Sequence, residues 1–175
     1  MLAFPSQEAR ELAWKAFFAD PQWKQVRKQS EANGKLVTKV EAVLLGATDY
    51  SPEIKPSIAD KRVFELRTYH ASPGNLKHLN ARFRDHTVKL FKRHGIDQFG
   101  YWCPLDKQPG AGETLIYLLT HASPEAAKAS FSQFMKDPDW KAAAKASTET
   151  AGGPLVVKGG VKSVFMKATD YSPSK

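Results

Sequence analysis

The chain has 175 residues, a formal net charge of +8, one cysteine, 42% hydrophobic and 25% charged residues, which suits one ordinary globular domain with an addition, or two small domains. A lone cysteine excludes an intrachain disulfide and a multi-cysteine metal site, and no apolar run reaches the ~18–20 residues that cross a bilayer. Lys and Arg are dispersed along the whole length without a basic block, so the charge reads as a solvated surface rather than a specific nucleic-acid interface.

In chain order, residues 1–4 read as the tail of a strand. Ser6 is an N-cap with Glu8 in the first turn, where an anion meets the positive end of a helix. That helix is expected to bury Ala9, Leu12 or Ala13, and Phe17. Asp20-Pro21 breaks and restarts it, because proline lacks only an N–H that the first helical turn leaves unused. Trp23 is expected to anchor the second helix to a core, and Asn33-Gly34 to end it. Leu36 to Leu45 is rich in valine and leucine and predicts a strand. Residues 53–61, with Pro56 and no periodicity, form a predicted linker.

Val63 to Tyr69 alternates as a strand: Phe64, Leu66 and Thr68 share one face, Glu65, Arg67 and Tyr69 the other. A helix follows over about 75–94, with Leu76, Leu79, Phe83, Thr87 and Leu90 on one stripe and Gly95 as its stop. Ile96–Pro104 and Thr114–Thr120 are predicted strands flanking a turn at 106–112, with Cys103 a buried, inert thiol. A helix pair from Ser123 to about Ala151, loop glycines at 152–153 and 159–160, and a strand over 161–166 complete the chain. From residue 62 the order is β-α-β-β-α-β, a ferredoxin-like α+β arrangement.

One pattern occurs twice. Ser6-x-Glu8-Ala9, Asp20-Pro21-x-Trp23-Lys24, Lys28-x-Ser30 and Thr48-Asp49-Tyr50-Ser51-Pro52 recur as Ser123-x-Glu125-Ala126, Asp137-Pro138-x-Trp140-Lys141, Lys145-x-Ser147 and Thr169-Asp170-Tyr171-Ser172-Pro173. Such self-similarity is the mark of a duplicated unit. It divides the chain into a half-domain over 1–52, helix plus strand, and a complete domain over 62–175.

Val63-Phe-Glu-Leu-Arg-Thr-Tyr69, Phe83-Arg-Asp-His-Thr87, Gly100-Tyr-Trp102, Leu115-Ile-Tyr-Leu-Leu119, Asp137-Pro-Asp-Trp140 and the terminal Thr-Asp-Tyr-Ser-Pro together resemble the NIPSNAP family. The resemblance implies the dimeric α+β barrel superfamily, in which two ferredoxin-like sheets close face to face. Met1-Leu-Ala-Phe4 aligns with Leu118-Leu-Thr-His121, so the chain is expected to be an amino-terminally shortened form of a tandem member. It carries no targeting segment as written, an export signal is then expected upstream of Met1, and the compartment is left open. Strand 36–46 is expected to add to the edge of the 96–104 strand.

In a barrel of that kind Glu65, Arg67 and Tyr69 are expected to point between the two sheets, paired or used, because unpaired charge is costly to bury. With His86 at a pocket rim and Tyr101, Trp102 and Tyr117 as aromatic walls, they form the candidate ligand pocket. His121 carries no expected role, since Phe4 stands at its place in the first copy. His70, His78, His86 and His94 recur every eight residues, which is no metal-ligand spacing on a helix, and no metal site is expected. No catalytic residue set comes with the resemblance. The expectation is a non-catalytic module that binds a small apolar or anionic molecule or another protein, as a homo-oligomer or through intramolecular barrel pairing. The alternative is an α+β barrel enzyme, a monooxygenase or a haem-handling protein, in which haem would be the cofactor.

Overall fold

The structure, a computed structural model, describes residues 1–54 and 62–173. Most of the expected 53–61 linker therefore lies outside the described residues. The chain divides into two compact units, Met1–Ala42 and Val43–Lys175.

In the first unit, helix α1 (Gln7–Ala19) runs into helix α2 (Pro21–Ser30) through the expected break. The Ser6 hydroxyl accepts from Ala9 N at 3.1 Å, and the Asp20 carboxylate accepts from Gln22 N and Trp23 N at 2.7 and 3.1 Å. These caps satisfy amide groups that a helix start leaves orphaned. The expected burial of an apolar stripe does not occur: neither helix buries a residue, and Leu12 is 67% exposed. Trp23 packs on Phe17 within its own unit, with ring centroids 4.5 Å apart. Residues 1–4 form no strand.

The second unit is a five-stranded antiparallel sheet with helices against one face. Its strands are β1 (Leu45–Ala47), β2 (Val63–Ala71), β3 (Asp97–Pro104), β4 (Thr114–His121) and β5 (Val156–Lys167), in the order β1-β3-β4-β2-β5. Without β1 this is the ferredoxin-like arrangement read from the sequence. The predicted strand over 36–46 shrinks to three residues, and these pair with β3 as expected, Leu45 opposite Pro104 and Ala47 opposite Trp102. Residues 35–44 have strand-forming side chains but no ladder, and β preference without a pairing strand does not make one.

Helix α3 (Leu76–Arg82) passes through a π turn (Phe83–Thr87) into α4 (Val88–Arg93). The Thr87 hydroxyl donates to the Arg82 carbonyl five residues back, at 3.2 Å, which fits the wider turn. Helices α5 (Pro124–Lys136) and α6 (Pro138–Thr150) repeat the caps of the first pair, Ser123 on Ala126 N and Asp137 on Asp139 N. Leu79, Phe83, Leu90, Phe91 and Phe134 pack on Tyr101, Leu115, Tyr117 and Leu119 of the sheet to form the main core. Gly159 and Gly160 belong to β5 rather than to a loop. Gly159 has φ +73°, and the ladder to β2 shifts register between Tyr69 and Ala71 beside them.

Among the described residues no helix of the second unit packs on the opposite face of the sheet. Phe64, Trp102 and Leu118 are buried there against one another with Leu45, Leu66 and Phe99 around them, while Val164 and Met166 are exposed.

Candidate functional site

Strand register builds the site. Tyr101 lies opposite Tyr117, Tyr117 opposite Arg67, and Arg67 opposite Ser163, a row crossing β3, β4, β2 and β5. One step of alternation away, Glu65 lies opposite Leu119 and Phe165. All these side chains share the helix-covered face. Arg67 Nη1 donates to Glu65 Oε1 at 2.5 Å, Nε to the Tyr117 hydroxyl at 2.9 Å and Nη2 to the Tyr69 hydroxyl at 3.1 Å. Its guanidinium carbon lies 4.5 Å from the centre of the Phe131 ring of α5. Ser163 donates to the same Glu65 oxygen at 2.5 Å, and His121 Nε2 lies 3.0 Å from the other.

This inverts the expected facing of β2. Glu65, Arg67 and Tyr69 meet the helices, and Phe64 and Leu66 line the open face. Alternation states which residues share a face, not which face is covered, and both faces of this strand carry packable groups. Of the candidate pocket residues, Glu65, Arg67, Tyr69, Tyr101 and Tyr117 come together. Trp102 faces the other way, its indole folded over Gly100, where a Cβ would stand 2.5 Å from the ring. His86 is also apart. It lines a groove of about 420 Å³ between the π turn, α4 and α6, with Lys89, Arg93, Asp139 and Ala143.

Burial by itself would raise the Glu65 pKa, but hydrogen bonds from His121 and Ser163 and the Arg67 charge outweigh it and hold the carboxyl at about 2. Burial works against the Arg67 charge, and the Tyr117 and Tyr69 phenols with Glu65 more than restore it, placing the guanidinium above its usual range. Burial pushes the Tyr117 and Tyr101 phenols upward, so both stay neutral. The cluster is a set of fixed charges and dipoles. Three donors already occupy the Glu65 carboxylate, so it is no free general base.

His121 and Ser163 are the members that sequence reasoning missed. Their signal was alternation: His121 continues the face of Tyr117 and Leu119, and Ser163 sits two residues from Phe165 on β5. Reading that signal required knowing which strands are neighbours.

Among the described residues no three His, Cys, Asp or Glu side chains are grouped to hold a metal ion. A haem does not fit beside Arg67 and Tyr69. Phe131 covers the guanidinium, Phe83 packs at 5.9 Å on Tyr69 and 5.2 Å on Tyr117, and the nearby His121 nitrogen is taken by Glu65.

A family model described as NIPSNAP matches residues 64–173. A solved NIPSNAP family protein of unknown function from Agrobacterium tumefaciens superposes with TM-score 0.55 at 17% identity, covering 66% of this chain and 95% of its own. A second NIPSNAP family protein from the same bacterium gives 0.54 at 18%, over 65% and 99%. A NIPSNAP-like domain protein from Burkholderia xenovorans gives 0.53 at 16%, over 65% and 90%. At these identities the likeness is one of fold. No curated protein matches the chain.

Proposed function

The chain belongs to the NIPSNAP family, and from that premise we propose that it is a non-catalytic binding or interaction module that pairs with a second copy across the open face of its sheet. The observation that carries this is the one-sided sheet: helices of the second unit cover one face, while the other presents Leu66, Ile116, Val164 and Met166 around a buried Trp102. Val164 is 56% exposed, and an apolar sheet face of this kind is stabilised by covering it. The space enclosed by two such faces would take a small apolar guest against Trp102 and Leu66. A small anionic guest belongs on the helix side, near Arg67, Tyr69, Tyr101 and Tyr117. The binding reading is favoured over a monooxygenase or haem-type enzyme by the occupancy of Glu65, whose oxygens are engaged by Arg67, Ser163 and His121.

Light scattering of the full chain at tens of micromolar tests the pairing. A dimer is expected for the wild type, and a folded monomer with unchanged circular dichroism for Val164→Asp. A monomeric wild type would overturn the pairing.

A further inference from the structure

The Thr-Asp-Tyr-Ser-Pro segment occurs twice, docked once and exposed once. At its first occurrence the chain runs along the outer edge of β3. The Leu44 carbonyl accepts from Leu105 N at 2.9 Å, β1 pairs with β3, and Thr48 N donates to the Tyr101 carbonyl at 3.0 Å. The side chains that follow each find a partner. Asp49 accepts two hydrogen bonds from Arg84 of the π turn, at 2.7 and 2.9 Å. The Tyr50 hydroxyl donates to Asn80 of α3 at 2.7 Å, and its ring lies 5.3 Å from that of Tyr101. The Ser51 hydroxyl accepts from Tyr101 N at 3.0 Å. Asn80, Arg84 and the β3 edge thus form a socket whose donors and acceptors match this segment residue by residue.

The second occurrence, Thr169 to Pro173, follows β5 at the other edge of the sheet. It holds the same turn: Ser172 N donates to the Thr169 carbonyl at 3.1 Å, as Ser51 N does to that of Thr48 at 3.1 Å. Two of its side chains lack comparable partners. Tyr171 is 85% exposed, and among the described residues the Asp170 carboxylate accepts only from the adjacent Tyr171 N. A segment already in the docked turn loses little conformational freedom on binding. The socket of its own chain is filled by residues 48–52, whose tether gives them a high effective concentration.

We propose that residues 165–173 are a docking element for another domain of this fold whose β3 edge is bare, a partner that presents an asparagine and an arginine as Asn80 and Arg84 are presented here. The arginine takes Asp170 in a two-pronged pair, and the asparagine takes the Tyr171 hydroxyl. Lys167 stands where the first segment has Gly46, and a Cβ at Gly46 would meet the Leu105 side chain at 2.9 Å. Leu105 is 42% exposed and its tip can turn aside. Docking of this segment is separate from pairing across the open face, and either can fail without the other.

The probe is a fluorophore-labelled synthetic peptide of residues 165–173. The bare socket is made in the full chain by Asp49→Ala, Tyr50→Ala and Ser51→Ala together. Anisotropy titration is expected to show saturable binding to this triple variant and at least about tenfold weaker binding to wild type, whose own segment competes. Adding Arg84→Met to the variant, or Tyr171→Ala to the peptide, is expected to weaken binding by about tenfold, as loss of a charge-assisted pair or of a ring contact does. Equal binding to wild type and the triple variant, indifference to both further changes, or no binding at all would overturn the proposal. Tyr50 packs against the main core. Should the triple variant fail to fold, Asp49→Ala with Ser51→Ala keeps that ring and takes its place against the same controls, and absence of binding to it is equally fatal. Light scattering of the same samples reads pairing across the open face separately.

Discussion

His121 Nε2 lies 3.0 Å from Glu65 Oε2, joining the last residue of β4 to the third of β2 beneath the helices. Both side chains are almost fully buried. Against a carboxylate the ring nitrogen is the donor, so the contact fixes the tautomer of His121 and fills the one Glu65 oxygen that Arg67 and Ser163 leave open. The charged row is thereby closed on the helix side.

Glu65 should shape the acid limb of stability. Its folded pKa of about 2 lies below the ordinary value of 4.5, so its contribution is complete above about 4.5 and fades as pH falls from there toward 2. Glu65→Gln takes up no proton at this site. It should be less stable at neutral pH and lose less between pH 4.5 and 2 than the wild type does. Urea midpoints across that range decide, and identical slopes would refute the ionised, hydrogen-bonded carboxylate.

Arg67→Met strands Glu65 in the interior without its cation and should cost about 3–5 kcal/mol. The double variant Glu65→Leu, Arg67→Met removes both charges and should recover most of that loss, because a desolvated ion pair is often no better than apolar groups of similar size. Denaturant unfolding of the two single variants and the double variant measures the coupling. Additive losses would contradict it.

The ring pairs Phe134–Trp140 and Phe17–Trp23 have nearly the same geometry, with centroids 4.4 and 4.5 Å apart. Their surroundings differ: Phe134 is 3% exposed and Phe17 41%. Phe134→Ala should therefore cost about 3–5 kcal/mol, and Phe17→Ala about 1 kcal/mol, the worth of the ring contact alone. Equal losses in unfolding experiments would show that the first helix pair is covered in solution.

Gly160 has no room for a side chain, since a Cβ there would stand 2.9 Å from the carbonyl oxygens of His70 and Val157. Gly160→Ala should destabilise by about 1–3 kcal/mol. Gly153→Ala meets nothing within 4 Å and should be neutral or slightly stabilising, through the unfolded chain. Differential scanning calorimetry of both variants separates the bulge from the loop.

Local chemistry alone fixed much of this chain. Ser6, Asp20, Ser123 and Asp137 announced their helix starts because a cap needs only a short polar side chain and the next few amides. The stripe Leu79, Phe83, Thr87 and Leu90 announced its buried face because a helix period is set by the backbone. The pairing of Glu65 with Arg67 was legible too, since residues two apart on a strand share a face.

Tertiary structure decided what periodicity leaves undetermined. A two-residue repeat is the same seen from either side, so it could not say that Arg67 meets Phe131 and α5 while Leu66 meets the open face. Nor could it bring Ser163 and His121 to Glu65 from 98 and 56 residues away, or deny a ladder to residues 35–44. Those outcomes depend on which strands become neighbours and where the helices land, and both are settled by packing the whole chain rather than by any segment of it.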